Sequence, residues 1–160
     1  MAKHKHPTTQ AVRVLRQAKI EFEGYPYSYE DGGGTALFAQ LFDVDEHQVI
    51  KTLVMEDENR QPMIVLMHGD REVSTKNLAR QIGVKSVRPC AAKDADRHSG
   101  YQVGGTSPFG TRKKMPVYCE AGILELPIIY INGGKRGFII SMNPGDMASL
   151  LQPQAVSAAQ

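Results

Sequence analysis

The sequence predicts a single mixed α/β domain of the α+β kind, with a mostly antiparallel sheet flanked by helices. Its 160 residues suffice for one buried core, and 41% hydrophobic with 22% charged residues is ordinary for a soluble globular chain. Short apolar runs at 49–54 and 63–67, and again at 128–131 and 138–141, are separated by polar or glycine turns and read as two hairpins. The helical patterns are short and do not alternate regularly with the strands, which argues against a doubly wound parallel sheet.

Residues 1–7 form a polar, basic tail expected to be disordered, in which His4 and His6 need no role beyond solvation. The folded domain is expected over 8–152. Thr8 or Thr9 caps a helix running to about residue 19, with Val12, Leu15 and Ala18 on one face. Residues 21–29 read as an aromatic strand carrying Phe22, Tyr25, Tyr27 and Tyr29, broken by the glycines at 32–34. Thr35 is expected to cap a helix over 36–42. After the first hairpin, Ser74 or Thr75 caps a helix through Ile82, and Gly83 stops it. A short strand at 84–87 and a short helix at 91–97 lead into a glycine-rich loop at 100–110. Beyond it come a strand at 116–120, a turn or helical piece at 121–126, and a tight turn at 132–137 in the last hairpin. Asn143 caps the final helix with Pro144 in its first position and Asp146 in its first turn, and 153–160 is expected to fray.

The loop at 100–110 contains four glycines and a proline, so it is neither a regular helix nor a central strand. Such a loop lets backbone approach a ligand, and successive N–H groups in it form an anion-binding nest. Arg112, Lys113 and Lys114 follow it, and Lys135 and Arg136 sit in the second glycine turn. Cations so placed suit a phosphate-bearing ligand, or serve solubility alone. The net charge of +2 is too small to argue for nucleic acid by itself. Gly105 and Gly110 have the spacing of a P-loop, but Thr111 and Arg112 stand where lysine and a hydroxyl residue are required. No dinucleotide fingerprint, GxSxG elbow or zinc spacing occurs, so neither cofactor nor metal is expected.

Lys51 is the strongest single signal, because it interrupts an otherwise apolar strand. Strand alternation puts it with Val49 and Leu53, and puts Thr52 on the other face with Ile50 and Val54. A lysine inside a sheet is costly unless it is paired or opens into a polar cleft; the alternative is an edge-strand lysine that discourages aggregation. Cys90 and Cys119 lie near apolar residues, as buried thiols do, and His47, His68 and His98 are scattered. Two distant cysteines, no apolar leader within 1–17 and no apolar run long enough to span a bilayer point to a cytoplasmic protein without a membrane partner.

Residues 49–52 (VIKT), 100–110 (GYQVGGTSPFG) and 132–137 (NGGKRG) together resemble the YbaK/EbsC-type aminoacyl-tRNA deacylases, small free-standing relatives of the editing domain of bacterial prolyl-tRNA synthetases. The resemblance covers nearly the whole chain. It implies a strongly twisted sheet, or partial barrel, flanked by helices, and hydrolysis of mischarged tRNA, typically cysteine or alanine on tRNA(Pro). It further implies Lys51, Gly104 and Gly105 as the catalytic set, without a protein nucleophile. Tyr29, Thr52, Thr106, Ser107, Pro108, Asn132, Gly133 and Gly134 would line the pocket for the aminoacyl group and terminal adenosine. Arg112, Lys113, Lys135 and Arg136 would meet tRNA phosphates, and prolyl-tRNA synthetase would be a partner. Relatives of the cysteine-specific type often carry Ser where Asn132 stands and Asp where Ile139 stands, so cysteine selectivity is less firmly implied than deacylation. The alternatives left by the residues themselves are a tRNA- or nucleotide-binding module without turnover, and a cysteine-dependent hydrolase.

Overall fold

The computed structural model describes residues 6–160. In chain order the elements are α1 (Gln10–Gln17), β1 (Glu23–Pro26), α2 (Gly34–Phe42), β2 (Val49–Asp57), β3 (Pro62–His68), α3 (Thr75–Ile82), β4 (Val87–Pro89), α4 (Ala92–Ser99), β5 (Val117–Glu120), β6 (Ile129–Lys135), β7 (Phe138–Met142), α5 (Pro144–Leu151) and β8 (Gln154–Val156). Short 3-10 turns at Glu46–Gln48 and Ala121–Glu125 complete the set.

Local chemistry sets most of these boundaries. Thr9 accepts from the Val12 N–H, Ser74 from Asn77 and Asn143 from Gly145, so three helices begin on side-chain caps. Gly83 ends α3 at φ 78°, in the left-handed region. Thr35 is a correction. Gly33 stands at the N-cap of α2, and the Thr35 hydroxyl reaches instead to Glu46 Oε2 at 2.7 Å and Gly69 O at 3.3 Å.

The eight strands form one sheet in the order β1-β7-β6-β2-β3-β5-β8, with β4 paired to β2 off this path. The pairs β1–β7, β2–β3, β2–β4 and β6–β7 are antiparallel, whereas β2–β6, β3–β5 and β5–β8 are parallel. The fold is thus the expected mixed α/β domain with a twisted sheet flanked by helices, but the sheet holds more parallel pairing than the sequence indicates. Hairpins are joined by local turns and leave a local signal; the parallel joins link segments far apart in the chain.

Helices cover both faces. On one, α1 (Ala11, Val12, Leu15), Ala95 of α4, Met147 of α5 and the loop residues Tyr101 and Phe109 pack on Ile50, Val54, Ile64 and Leu66. On the other, Phe38 and Ala39 of α2 pack on Val49 and Ile139, while Leu78 and Ala79 of α3 pack on Met55 and Val65. Neighbouring residues of β2 therefore serve different cores, as strand geometry requires.

Three other expectations are corrected. Residues 132–137 are not a simple tight turn: β6 runs on through Lys135, and its pairing with β7 shifts register between Asn132 and Lys135. Of the tail 1–7, residues 1–5 lie outside the described residues, but His6 stacks on Phe138 at 5.2 Å between ring centroids. Residues 153–160 do not fray. β8 pairs with β5, Val156 and Ala158 are buried, and Glu120 Oε1 accepts from the Ala158 N–H at 2.7 Å and Ala159 N–H at 3.1 Å. Backbone pairing and two small apolar side chains are enough to hold this segment. Deleting 154–160 is expected to cost ~2 kcal/mol or more, seen as a lowered Tm in thermal unfolding.

Candidate active site

The site arises where β2 loses a neighbour. On one side it pairs continuously with β3, from Ile50–His68 to Glu56–Pro62. On the other, β6 covers only Val49 and Ile50, and β4 covers only Met55 to Asp57. Lys51, Thr52 and Leu53 between them have no strand on that side. The Cys90 N–H donates to Val54 O at 3.1 Å, so Val54 directs its backbone groups toward β4. Alternation along an antiparallel strand then turns the N–H and C=O of Thr52 into the same gap.

A cavity of about 660 Å³ opens there, and residues from both faces of β2 line it because the sheet itself is interrupted. Lys51 stands on the face shared by α2 and α3, where the Val49 cluster gives way to the Leu53 and Met55 cluster. Its side chain is 21% exposed, and Nζ donates to Arg71 O at 2.7 Å and Glu72 Oε1 at 3.2 Å. An ammonium has three donors, so one remains for a ligand. Thr52 Oγ1 is the one buried side-chain polar atom without a hydrogen-bond partner among the described residues. A buried orphan hydroxyl is costly.

The glycine loop forms the opposite wall and is clasped by the β6–β7 turn. The Arg136 Nε donates to Val103 O at 2.9 Å, and the Asn132 amide donates to Gly104 O at 3.2 Å. Asp96 accepts from the Val103 N–H at 2.9 Å, tying the loop also to α4. Gly104 adopts φ 91°, a backbone open to glycine, with the Tyr29 hydroxyl close against its Cα. The Arg136 guanidinium lies 5.0 Å over the Tyr29 ring, a cation–π contact.

The structure brings Tyr29, Lys51, Thr52, Gly104, Thr106 and Asn132 together in the cavity wall. The other candidates stand elsewhere, for packing reasons. Gly105 lies against the backbone of Lys135 and Arg136, and its N–H donates to Gln102 O at 2.7 Å. Ser107 is fully buried behind the loop, accepting from the Phe109 N–H at 3.1 Å, and Pro108 is buried beside it. Gly133 lies under the Phe138 ring and Gly134 against Tyr101 and Thr9. Arg112 and Lys113 are exposed past α4, with their N–H groups on Ser99 O and His98 O, and Lys135 is exposed. Of the four predicted phosphate cations only Arg136 brings its charged side chain onto wall residues among the described residues; Lys135 reaches Asn132 through its backbone N–H alone.

Glu72 was missed by sequence reading. The β2–β3 register sets Lys51 opposite Met67, so the segment leaving β3 passes the lysine, and nothing local to Glu72 marks it in the sequence. Tyr27, Cys90 and Ile139 also line the cavity. Burial, with the Glu56 carboxylate beside it, pushes the Cys90 thiol up to about 12. Burial likewise pushes the core Cys119 thiol up to about 12. The site therefore offers an ammonium, backbone polar groups and hydroxyls, but no thiolate at neutral pH.

Residues 30–150 match the aminoacyl-tRNA editing domain family. The chain is 31% identical over 156 residues to an Enterococcus faecalis protein provisionally named Cys-tRNA(Pro)/Cys-tRNA(Cys) deacylase EbsC, covering 96% of this chain and 95% of that one. It is 26% identical over 104 residues to the proline–tRNA ligase of Limosilactobacillus reuteri, covering 62% of this chain and 18% of the ligase. A crystal structure described provisionally as a trans-editing enzyme for prolyl-tRNA synthetase superposes with TM-score 0.85 at 18% identity, over 98% of this chain and 99% of that one, and so shares its fold. The family match over most of the chain, the relative aligned along nearly its whole length and the common fold together place this protein in the aminoacyl-tRNA editing domain family, among the YbaK/EbsC-type members whose general activity is deacylation of tRNA in trans.

Proposed function

We propose that this protein hydrolyses the ester of mischarged tRNA(Pro), carrying cysteine or another small amino acid, in the cytoplasm and alongside prolyl-tRNA synthetase. The observation that carries this reading is the interruption beside β2, which puts Lys51 and Thr52, with its unpaired backbone groups, in the wall of one cavity. Its volume of about 660 Å³ is of the size that holds a small organic ligand such as an aminoacylated nucleoside.

An aminoacyl ester is already activated, so positioning and stabilisation of negative charge supply the acceleration. Lys51 polarises the carbonyl or neutralises the terminal phosphate with its remaining N–H. Gly104 brings backbone against the acyl end, while Gly105 acts only by packing, its own N–H being engaged by Gln102. With a cysteinyl substrate the substrate's sulfur attacks the carbonyl carbon, the ester C–O bond breaks and the thiol proton passes to the departing ribose oxygen; water then opens the cyclic thioester so formed to give free cysteine. With alanine water attacks the carbonyl carbon, the ester C–O bond breaks and a proton of the water passes to the departing ribose oxygen. Ile139 gives the wall an apolar surface in place of a carboxylate, which suits a small uncharged side chain.

The test is incubation of the purified protein with Cys-tRNA(Pro), Ala-tRNA(Pro) and correctly charged Pro-tRNA(Pro) and Cys-tRNA(Cys). Selective release of cysteine or alanine from tRNA(Pro) is the expected result; binding without release would make the protein a tRNA-binding module. Cys90→Ser and Cys119→Ser are expected to keep turnover within about threefold, since a thiol with pKa near 12 is about 0.01% thiolate at pH 8. A dead single variant, with its fold intact by circular dichroism, would restore the cysteine-dependent route.

A further inference from the structure

We infer that Glu72 selects esters whose acyl group carries a free α-ammonium, holding that ammonium beside the carbonyl that Lys51 polarises. The inference rests on the deacylase reading and names the substrate class for the same cavity. Glu72 lines the cavity, and Oε1 meets Lys51 Nζ at 3.2 Å. Its other carboxylate oxygen makes no hydrogen bond among the described residues. The side chain is 80% exposed, yet its backbone is fixed. The Glu72 N–H donates to Gln160 O at 3.1 Å, and the Gln160 N–H returns to Glu72 O at 2.9 Å. The segment 154–160 thus holds in place the residue that faces the lysine.

The chemistry of an α-amino ester fits this pair. Standard bond lengths put the α-nitrogen and carbonyl oxygen roughly 3 Å apart, which matches the spacing of Nζ and Oε1. Carbonyl oxygen on lysine and ammonium on glutamate then complete a four-membered pattern of alternating charge. Glu72 is the one wall carboxylate within hydrogen-bond distance of Lys51 Nζ among the described residues. Glu46 Oε2 takes the Thr35 hydroxyl, Asn132 Oδ1 takes the Gly134 and Lys135 N–H groups, and Ile139 is apolar. Glu30 also lines the cavity but makes no ion pair with Lys51. An exposed ion pair contributes little in water, but a bound substrate excludes water and strengthens both contacts. An ester whose nitrogen is already in an amide bond, as in a growing peptide, would lose this contact and be spared.

The experiment compares alanyl-tRNA(Pro) with lactyl-tRNA(Pro), in which a hydroxyl replaces the ammonium, and cysteinyl-tRNA(Pro) with its 2-hydroxy counterpart. Both pairs are measured on the wild-type protein and on Glu72→Gln. The expected result is about a tenfold fall in kcat/KM on the aminoacyl esters and a change within twofold on the hydroxyacyl esters, as for loss of one charge-assisted hydrogen bond. Differences in intrinsic ester reactivity cancel in the ratio of ratios. Glu72→Asp should recover part of the preference. Equal slowing of both esters would overturn the inference and leave Glu72 as a support for Lys51; so would an unchanged ratio. Absence of wild-type turnover on any aminoacyl ester would remove the deacylase reading itself, and this inference with it.

Discussion

Lys51→Ala is expected to lower kcat/KM for deacylation about 10²–10³-fold, the size of effect seen when a charge-stabilising donor is removed from a reacting carbonyl. The fold should survive. The side chain ends at the cavity, and its partners, Arg71 O and the exposed Glu72 carboxylate, gain water when it is cut back. Loss of an ion pair whose carboxylate is 80% exposed costs only about 0–1 kcal/mol, so Tm should move by a few degrees at most. Lys51→Arg should not rescue, because a planar guanidinium cannot place a point charge in the same gap. Single-turnover hydrolysis with thermal unfolding on the same sample separates the outcomes: wild-type rates in the alanine variant would take the lysine out of the chemistry altogether.

The second large effect is expected from Gly105→Ala, although Gly105 does not reach the cavity. An added Cβ would sit 2.5 Å from Arg136 N and 2.7 Å from Lys135 C. Both are backbone atoms, so no side chain can swing aside. The loop would have to lift from the β6–β7 turn, breaking the Arg136–Val103 and Asn132–Gly104 hydrogen bonds. Since Gly104 forms part of the wall, a shift of about 1 Å there should lower kcat/KM about 10²-fold, together with a stability loss of about 1–3 kcal/mol from overpacking. A variant with unchanged rate and unchanged Tm would show that the clasp does not hold the loop in place.

Much of this was legible in the sequence because it depends on neighbours in the chain. The caps at Thr9, Ser74 and Asn143 and the stop at Gly83 are local chemistry. Lys51 stood out because an ammonium in an apolar strand needs a reason. Glycines mislead more easily: those at 104, 105, 133 and 134 look alike in sequence, but only Gly104 meets the cavity, while the others let backbone pack under Phe138, Tyr101 or the 135–136 turn. Glu72 was invisible for the opposite reason. An exposed glutamate in a polar turn has no distinguishing context until the strand register sets it beside the lysine. The same holds for residues 154–160, whose order depends on partners at Glu72, Gln81 and Glu120 that composition does not reveal.

The interruption in the pairing of β2 has a consequence for how selectivity can be altered. It acts as an unfilled rung whose two lips come from different parts of the chain: Asn132 with its cross-strand partner Ile139 on one side, Pro89 and Cys90 on the other. No lip residue lends a ladder bond to Lys51, Thr52 or Leu53. Exchanging them would reshape the opening to admit a different acyl group while the lysine stays where β3 holds it. Such a scaffold can be retuned from one mischarged pair to another without being refolded.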